Sequence, residues 1–134
     1  MLITLIFFIL FIHGLGHFQG VMITRSVEEK DHWNANSWLI GDMMNHNAER
    51  TICMLLYLVT ALSGISSAFS FNGILLPAAA WDQLALMSAV FSCVSIFLYT
   101  NGLTTTFNKI AAMIINLAIF YIVIFGKPWI NVVL

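Results

Sequence analysis

Residues 2–20 read LITLIFFILFIHGLGHFQG, and this stretch decides the fold. Its first eleven residues are almost all apolar, and two histidines follow at positions four apart. A helix needs about 20 mostly apolar residues to cross the ~30 Å hydrocarbon core of a bilayer. No Lys or Arg precedes the run, no A-x-A site follows it and the sequence begins with Met1, so it predicts an uncleaved transmembrane helix and not a signal peptide.

The composition of the whole chain points the same way. Of its 134 residues, 60% are hydrophobic and 8% are charged, whereas soluble proteins carry about 25% charged residues. Strands of a membrane barrel alternate apolar and polar residues, but the runs here are continuously apolar. The sequence therefore predicts an all-α, polytopic membrane protein with one four-helix transmembrane domain over residues 1–134.

Four windows are long and apolar enough to be membrane spans. They cover about 2–24, 51–71, 83–100 and 110–126, and a polar loop fills 25–50. Residues that favour helix ends flank the windows, namely Asn47, Asp82, Asn101-Gly102 and Lys127-Pro128. Asn47 and Asp82 are the expected N-caps of the second and third helices. Trp81 and Trp129 fit the aromatic belt at the membrane surface.

The distribution of charge predicts an orientation. Eight of the eleven charged residues lie between Arg25 and Arg50. Lys30 and Lys109 fall on the same side of the membrane as these two arginines, whereas Lys127 falls on the side of the amino terminus. Because cytoplasmic loops carry the excess of Lys and Arg, we expect loop 25–50 in the cytoplasm and both termini outside.

The polar loop also carries apolar side chains. Residues 26–29, Ser-Val-Glu-Glu, match a capping box. Trp33, Trp38 and Met43 are too apolar for a freely solvated linker. The loop therefore predicts a short helix that lies on the membrane surface and partly covers the mouth of the bundle.

The first helix carries His13-Gly-Leu-Gly-His17, in which the two imidazoles share one helical face. Gly16 and Gly20 share much of that face, and Gly64 lies on the small-residue stripe of the second helix. Small residues let helices in a membrane approach closely, and a histidine facing lipid is costly. We expect this face to point into the bundle, with the three glycines packing against neighbouring helices.

Polar residues of the other spans form a predicted layer with the histidines. Its members are His13, His17, Tyr57, Thr60, Ser92, Ser95 and Asn116. At 1.5 Å per residue, His17, Asn116, Ser95 and Tyr57 come out at one depth, and His13 about 6 Å deeper, near Thr60 and Ser92. The layer either fixes helix packing by hydrogen bonds or binds a metal, a polar ligand head or a relayed proton.

A metal site would need more ligands than the first helix supplies. Zinc takes three or four protein ligands, and no span contains Asp or Glu between its ends. His13 and His17 would have to be joined by loop residues, of which His46 and Glu49 are the main candidates and His32, Asp42 and Cys53 the others. A haem would need His46 or His32 to fold inward, or one His with an open or Met-filled position.

Several other functions lack support in the sequence. The net charge of −1 provides no basic surface for nucleic acid. No G-x-S-x-G, P-loop or strand-flanked G-x-G-x-x-G occurs, so an enzyme is less favoured than a binding or accessory protein. A transporter or channel acting alone is disfavoured, because inverted repeats and rings of charge are missing. Cys53 and Cys93 form no C-x-x-C pair and fit buried structural thiols.

The His13-Gly-Leu-Gly-His17 motif, the Ser37-Trp38 pair in the loop and Asn116 in the fourth helix together resemble small bacterial four-helix membrane proteins of the DoxX-like group. The resemblance implies a four-helix bundle in a bacterial inner membrane. It provides no catalytic residues to carry over.

Two hypotheses about function follow. The first is an accessory subunit, or a bundle that binds a lipid-like or quinone-like molecule at the polar layer, with no cofactor. Other membrane subunits or further copies of the chain are its expected partners. The alternative is a membrane redox protein that holds a transition metal or haem through His13 and His17.

Overall fold

The computed structural model describes residues 2–25 and 34–126, and all regular secondary structure in these two ranges is helical, with no strand. The four long helices are α1 (Leu2–Ile23), α2 (His46–Phe71), α3 (Trp81–Leu98) and α4 (Thr106–Tyr121), which continues as a π-helical turn over Ile122–Gly126. Short 3₁₀ turns occupy Gly41–Met43 and Ala78–Ala80. All four helices, with their adjoining turns, are long and apolar enough to cross a membrane. The predicted all-α bundle with four spans is therefore confirmed in this form.

Both predicted N-caps are wrong. Asn45, not Asn47, caps α2, because its side chain accepts a hydrogen bond from the Ala48 backbone N–H at 2.8 Å. Asp82 lies inside the first turn of α3, and Ala80 at the cap position makes no side-chain hydrogen bond. The first turn of α2 consists largely of polar residues, so hydropathy does not mark its start.

The ends of the third and fourth spans also differ from the prediction. The third helix ends at Leu98, before the Asn101-Gly102 pair, and the fourth begins at Thr106 instead of near residue 110. Thr105 caps α4 by accepting from the Asn108 backbone N–H at 3.1 Å. Trp81 is buried and packs edge-on against Phe71, with ring centroids 5.1 Å apart, so it is not a surface anchor. Four sequence predictions fall outside the described residues: the capping box at 26–29, the helix end at 127–128, the aromatic anchor at 129 and the apolar Trp33.

Helices α1, α2 and α3 cross closely at three small residues. A Cβ added to Gly64 would lie 3.0 Å from the Gly14 Cα and 2.9 Å from the Ser88 Oγ. A Cβ added to Gly14 would lie 2.8 Å from backbone atoms of Ala61 and Ile65 in α2. The hydroxyl of Ser88 donates to the Thr60 carbonyl at 2.9 Å and ties α3 to α2 at this point. By contrast, α4 packs mainly along α3 and meets α1 at few positions.

The other two glycines predicted at helix contacts behave differently from each other. A Cβ at Gly20 would overlap the ring of Tyr57, so α1 and α2 are closely packed there. Gly16 is exposed, and a Cβ added to it would meet nothing within 4 Å. The expectation of a packing role is therefore wrong for Gly16, and Gly14 makes the close approach instead. Gly14 and Gly16 are about 200° apart around the helix axis, so they lie on nearly opposite faces. The rotation of α1 therefore decides which of the two glycines contacts α2.

The described part of the first loop folds over the adjacent end of the bundle. The indole N–H of Trp38 donates to the Phe97 carbonyl at 2.6 Å, and the Asn34 backbone N–H donates to the Asn101 carbonyl at 3.1 Å. The carboxylate of Glu49 accepts from the Ser37 backbone N–H. These bonds join the loop to the start of α2 and to the α3–α4 connection.

Candidate functional site

A hydrogen-bonded link crosses the centre of the bundle. The Ser92 hydroxyl lies 2.9 Å from His17 Nε2, and the Asn116 Nδ2 group donates to the Ser92 Oγ at 2.8 Å. The same amide donates to the Cys93 Sγ at 3.3 Å. His17, Ser92 and Asn116 are buried and come from α1, α3 and α4, respectively. One continuous polar link therefore joins three of the four helices at membrane depth.

Three residues of the predicted polar layer, His17, Ser92 and Asn116, form the link. Tyr57, Thr60 and Ser95 lie outside it. The ring of Tyr57 lies beside His17, with centroids 5.7 Å apart, and its hydroxyl donates to the Tyr99 carbonyl at 3.3 Å. The hydroxyls of Thr60 and Ser95 instead donate to carbonyls of their own helices, at 2.9 Å and 2.6 Å. These two residues are buried in the predicted region but do not join the link.

Ser92, and not Ser95, lies level with His17 because α3 ends earlier than predicted. Measured from Leu98, Ser92 is about 9 Å into the helix, and His17 is about 9 Å from the end of α1 at Ile23. The predicted end at residue 100 placed Ser92 about 3 Å too deep. Distance from a helix end locates a residue only roughly, because Asn116 is about 15 Å from the start of α4 at Thr106 and still donates to Ser92.

His13 adds a second imidazole without joining the link. Its ring lies edge-on to that of His17, with centroids 4.7 Å apart and planes at 79°. Three buried polar atoms in this region have no hydrogen-bond partner among the described residues: His13 Nε2, His17 Nδ1 and Asn116 Oδ1. A buried polar atom without a partner costs about 1–3 kcal/mol, so each of the three marks a position that favours a polar guest.

A cavity of about 160 Å³ adjoins the two histidines. It lies between α1 and α4, where these helices make few contacts. Its lining residues are Ile12, His13, Gly16, His17, Gln19, Leu103, Asn108, Ala111, Ala112 and Ile115. Ile12 is 59% exposed and Gly16 is exposed as well. The cavity thus opens sideways, toward the surface that faces lipid in a membrane.

Two polar residues of the cavity were not predicted from the sequence. Gln19 Oε1 accepts from the Thr104 hydroxyl and from Asn108 Nδ2, both at 3.1 Å. The Asn108 amide also donates to the Thr104 hydroxyl at 2.9 Å. This cluster closes the end of the cavity nearest the first loop. Asn108 lay outside the predicted fourth span, and Gln19 gave no signal beyond its place two residues after His17.

The ligand set of the alternative metal site does not come together. Tyr57 is level with His17, whereas Glu49 lies eight residues earlier in α2, which is about 12 Å along the axis. Glu49 is engaged by the Ser37 N–H, and its other oxygen lies 3.9 Å from His46 Nδ1. Within residues 2–25 and 34–126, no three His, Cys, Asp or Glu side chains form a group that could hold a metal. His32 lies outside the described residues.

Comparison with protein families, with curated proteins and with solved structures gives no match to this chain. The class of protein is therefore defined by the fold and the site: a bundle of four helices suited to a membrane, with a polar link across its centre. The resemblance to DoxX-like proteins stays a prediction.

Proposed function

We propose that this protein is an integral membrane protein that binds a lipid-soluble molecule, which enters from the bilayer between α1 and α4. The proposal is carried by two buried nitrogens, His13 Nε2 and His17 Nδ1, which have no hydrogen-bond partner in the described part of the chain and belong to residues that line a sideways-opening cavity. Polar groups at membrane depth are costly unless they have a function or a partner. A polar head in this cavity would provide the partner.

The size of the cavity limits what its guest can be. A dry cavity of about 150 Å³ in a protein interior is known to hold benzene. The cavity here, about 160 Å³, suits a head of about one six-membered ring. Apolar side chains and Gly16 surround its opening, so a hydrocarbon tail would extend from it between α1 and α4 into the lipid. This combination fits a quinone-like or lipid-like molecule and requires no metal or haem.

The membrane setting belongs to the same proposal. The bundle lies in a bacterial inner membrane with loop 25–50 on the cytoplasmic surface and both termini outside. Trp38 and Met43 are 61% and 79% exposed, which suits a loop that rests on the headgroup region. A role as an accessory subunit, which presents the bound molecule to another membrane protein, is compatible with so small a chain.

Co-purification tests the proposal. The wild type, Gly16→Phe, Ala112→Phe and Leu15→Phe are purified in a mild detergent, and lipid-soluble molecules are extracted and quantified by mass spectrometry. Gly16 and Ala112 line the cavity, whereas Leu15 is exposed and lies outside it. We expect a molecule enriched over bulk lipid in the wild type and in Leu15→Phe, and reduced at least tenfold in the two cavity variants. Equal enrichment in all four proteins would contradict the proposal.

The purified wild-type protein, together with two histidine variants, also tests the redox alternative. A stoichiometric metal or a Soret band that disappears in His13→Ala and His17→Ala would replace the binding proposal with a metal or haem protein. Metal analysis and an optical spectrum of the wild type are sufficient for the first step.

A further inference from the structure

The hydrogen-bond link assigns the proton of the His17 ring. A serine hydroxyl has one proton to donate and two lone pairs to accept with. Asn116 Nδ2 is a donor only, so the Ser92 oxygen accepts from it, and the Ser92 proton is free for His17 Nε2. In this arrangement Nε2 accepts, and a neutral imidazole carries its proton on Nδ1.

The opposite arrangement satisfies fewer groups. If His17 donated from Nε2, the Ser92 oxygen would accept twice, and its own proton would have no acceptor among the described residues. Ser63 and Ser95 avoid this problem by donating to the carbonyls of Val59 and Phe91 in their own helices. Ser92 makes no such bond in the described structure, so its proton is best used by His17 Nε2.

The consequence is a buried donor on a residue that lines the cavity. His17 Nδ1 carries a proton, is buried and has no partner among the described residues. A buried N–H without an acceptor is unfavourable, and a neutral acceptor is the complementary group. None of the described residues that line the cavity is Lys, Arg, Asp or Glu, so none of them would compensate the charge of an ionic head.

We infer that the head of the bound molecule is a ring that carries a carbonyl oxygen, as in a cyclic ketone or quinone, and that this oxygen accepts from His17 Nδ1–H. The inference rests on the proposed function and adds the chemistry of the ligand. Ser92 and Asn116 are positioning residues: they hold His17 in the tautomer that can donate. His17 is the residue that contacts the carbonyl.

The first experiment reads the tautomer directly. The protein is labelled with ¹⁵N,¹³C-histidine, reconstituted in lipid bilayers and examined by solid-state NMR, with the His17 signals assigned by their loss in His17→Phe. We expect the Nδ1–H tautomer in the wild type and in Ser95→Ala, and a mixture of tautomers in Ser92→Ala. An Nε2–H tautomer in the wild type would overturn the inference, whatever binds in the cavity.

The second experiment compares two rings of the same shape. Cyclohexanone and methylenecyclohexane differ by an oxygen in place of a CH₂ group, and each is titrated into the bilayers while the signals of His17 and of cavity alanines are followed. Because the two compounds partition differently into lipid, the ratio of their affinities is compared between variants in identical bilayers. We expect this ratio to fall about tenfold in His17→Phe, which lacks the donor, relative to the wild type, and to stay unchanged in Ser95→Ala.

The outcomes separate the inference from the proposed function. If both rings perturb the cavity signals and the ratio is the same in all variants, the cavity binds ring-sized molecules and the carbonyl inference is wrong. If neither ring perturbs them, both the proposed function and the inference fail. If Ser92→Ala does not fold, the wild-type tautomer decides, together with the ratio compared between Ser95→Ala and His17→Phe.

Discussion

Gly14 of α1 and Gly64 of α2 face each other at a close crossing, where the Gly14 Cα lies 3.0 Å from the position of a Cβ added to Gly64. Two of the three atoms nearest to a Cβ added to Gly14 belong to the backbone of α2, so they cannot move aside as a flexible side chain would. Close approach of this kind is a main source of helix association in membranes, where apolar burial between helices contributes little.

Alanine at this crossing should separate α1 from α2. We expect Gly14→Ala to lower the free energy of unfolding by about 1–3 kcal/mol, as overpacking does in other tightly packed interiors. Gly16→Ala is the matched control, because its new Cβ would meet nothing within 4 Å. Titration with a denaturing detergent, followed by circular dichroism, measures both. A Gly14→Ala protein as stable as Gly16→Ala would show that the crossing tolerates more volume than the structure allows.

The link between Ser92 and Asn116 should appear as a coupling energy. In a double-mutant cycle with Ser92→Ala and Asn116→Ala, we expect a coupling of about 0.6–1.7 kcal/mol, the range of interhelical hydrogen bonds in membranes. Ser95→Ala combined with Asn116→Ala provides the control, since the Ser95 hydroxyl donates within its own helix. Equal coupling in the two cycles would mean that the Ser92–Asn116 bond is not formed.

Tyr99, just beyond the end of α3, should make stability depend on alkaline pH. Burial raises the pKa of its hydroxyl above the ordinary value near 10, and the neighbouring Cys53 and Glu49 raise it further. The contribution to stability is full below pH 10 and is lost as the pH rises above it, because the unfolded state then releases a proton that the folded state retains. We expect a smaller loss of stability between pH 9 and pH 11 in Tyr99→Phe than in the wild type. If the wild type and Tyr99→Phe lose the same free energy of unfolding between pH 9 and pH 11, Tyr99 is not buried as described.

The orientation can be tested by labelling cysteines in intact cells. Met43 and Leu75 are 79% and 85% exposed and lie on opposite sides of the predicted membrane. A membrane-impermeant thiol reagent added outside should label Leu75→Cys and spare Met43→Cys until the cells are opened. The wild type gives the background, since Cys53 is buried and Cys93 is within a span. The reverse labelling pattern would show that loop 25–50 is outside.

The sequence predicted those parts of the fold that depend on the composition of one segment at a time. Long apolar windows identified all four helices, because no other structure satisfies the backbone within lipid so simply. The starts of α2 and α4 were missed, since Asn45 and Thr105 cap turns whose side chains are polar. Hydropathy does not distinguish such a turn from a loop.

The site was only partly predictable because it depends on how the helices are rotated and paired. His17, Ser92 and Asn116 were all expected in the layer, but their direct link required the true end of α3. Whether Gly14 or Gly16 touches α2 depends on a rotation of α1 that its own sequence does not specify. Gln19 and Asn108 form a pair only because α4 packs beside the open side of α1.

Helix α4 is packed less closely into the bundle than the other three helices. Helices α1, α2 and α3 are clamped together at Gly14, Gly64 and Ser88, whereas α4 leans on α3 and reaches α1 chiefly through the Gln19–Asn108 cluster. A tilt of α4 would widen the opening between α1 and α4, and it would also strain the bond from Asn116 to Ser92. A molecule wider than the opening between α1 and α4 could therefore enter the cavity if a few side-chain hydrogen bonds broke.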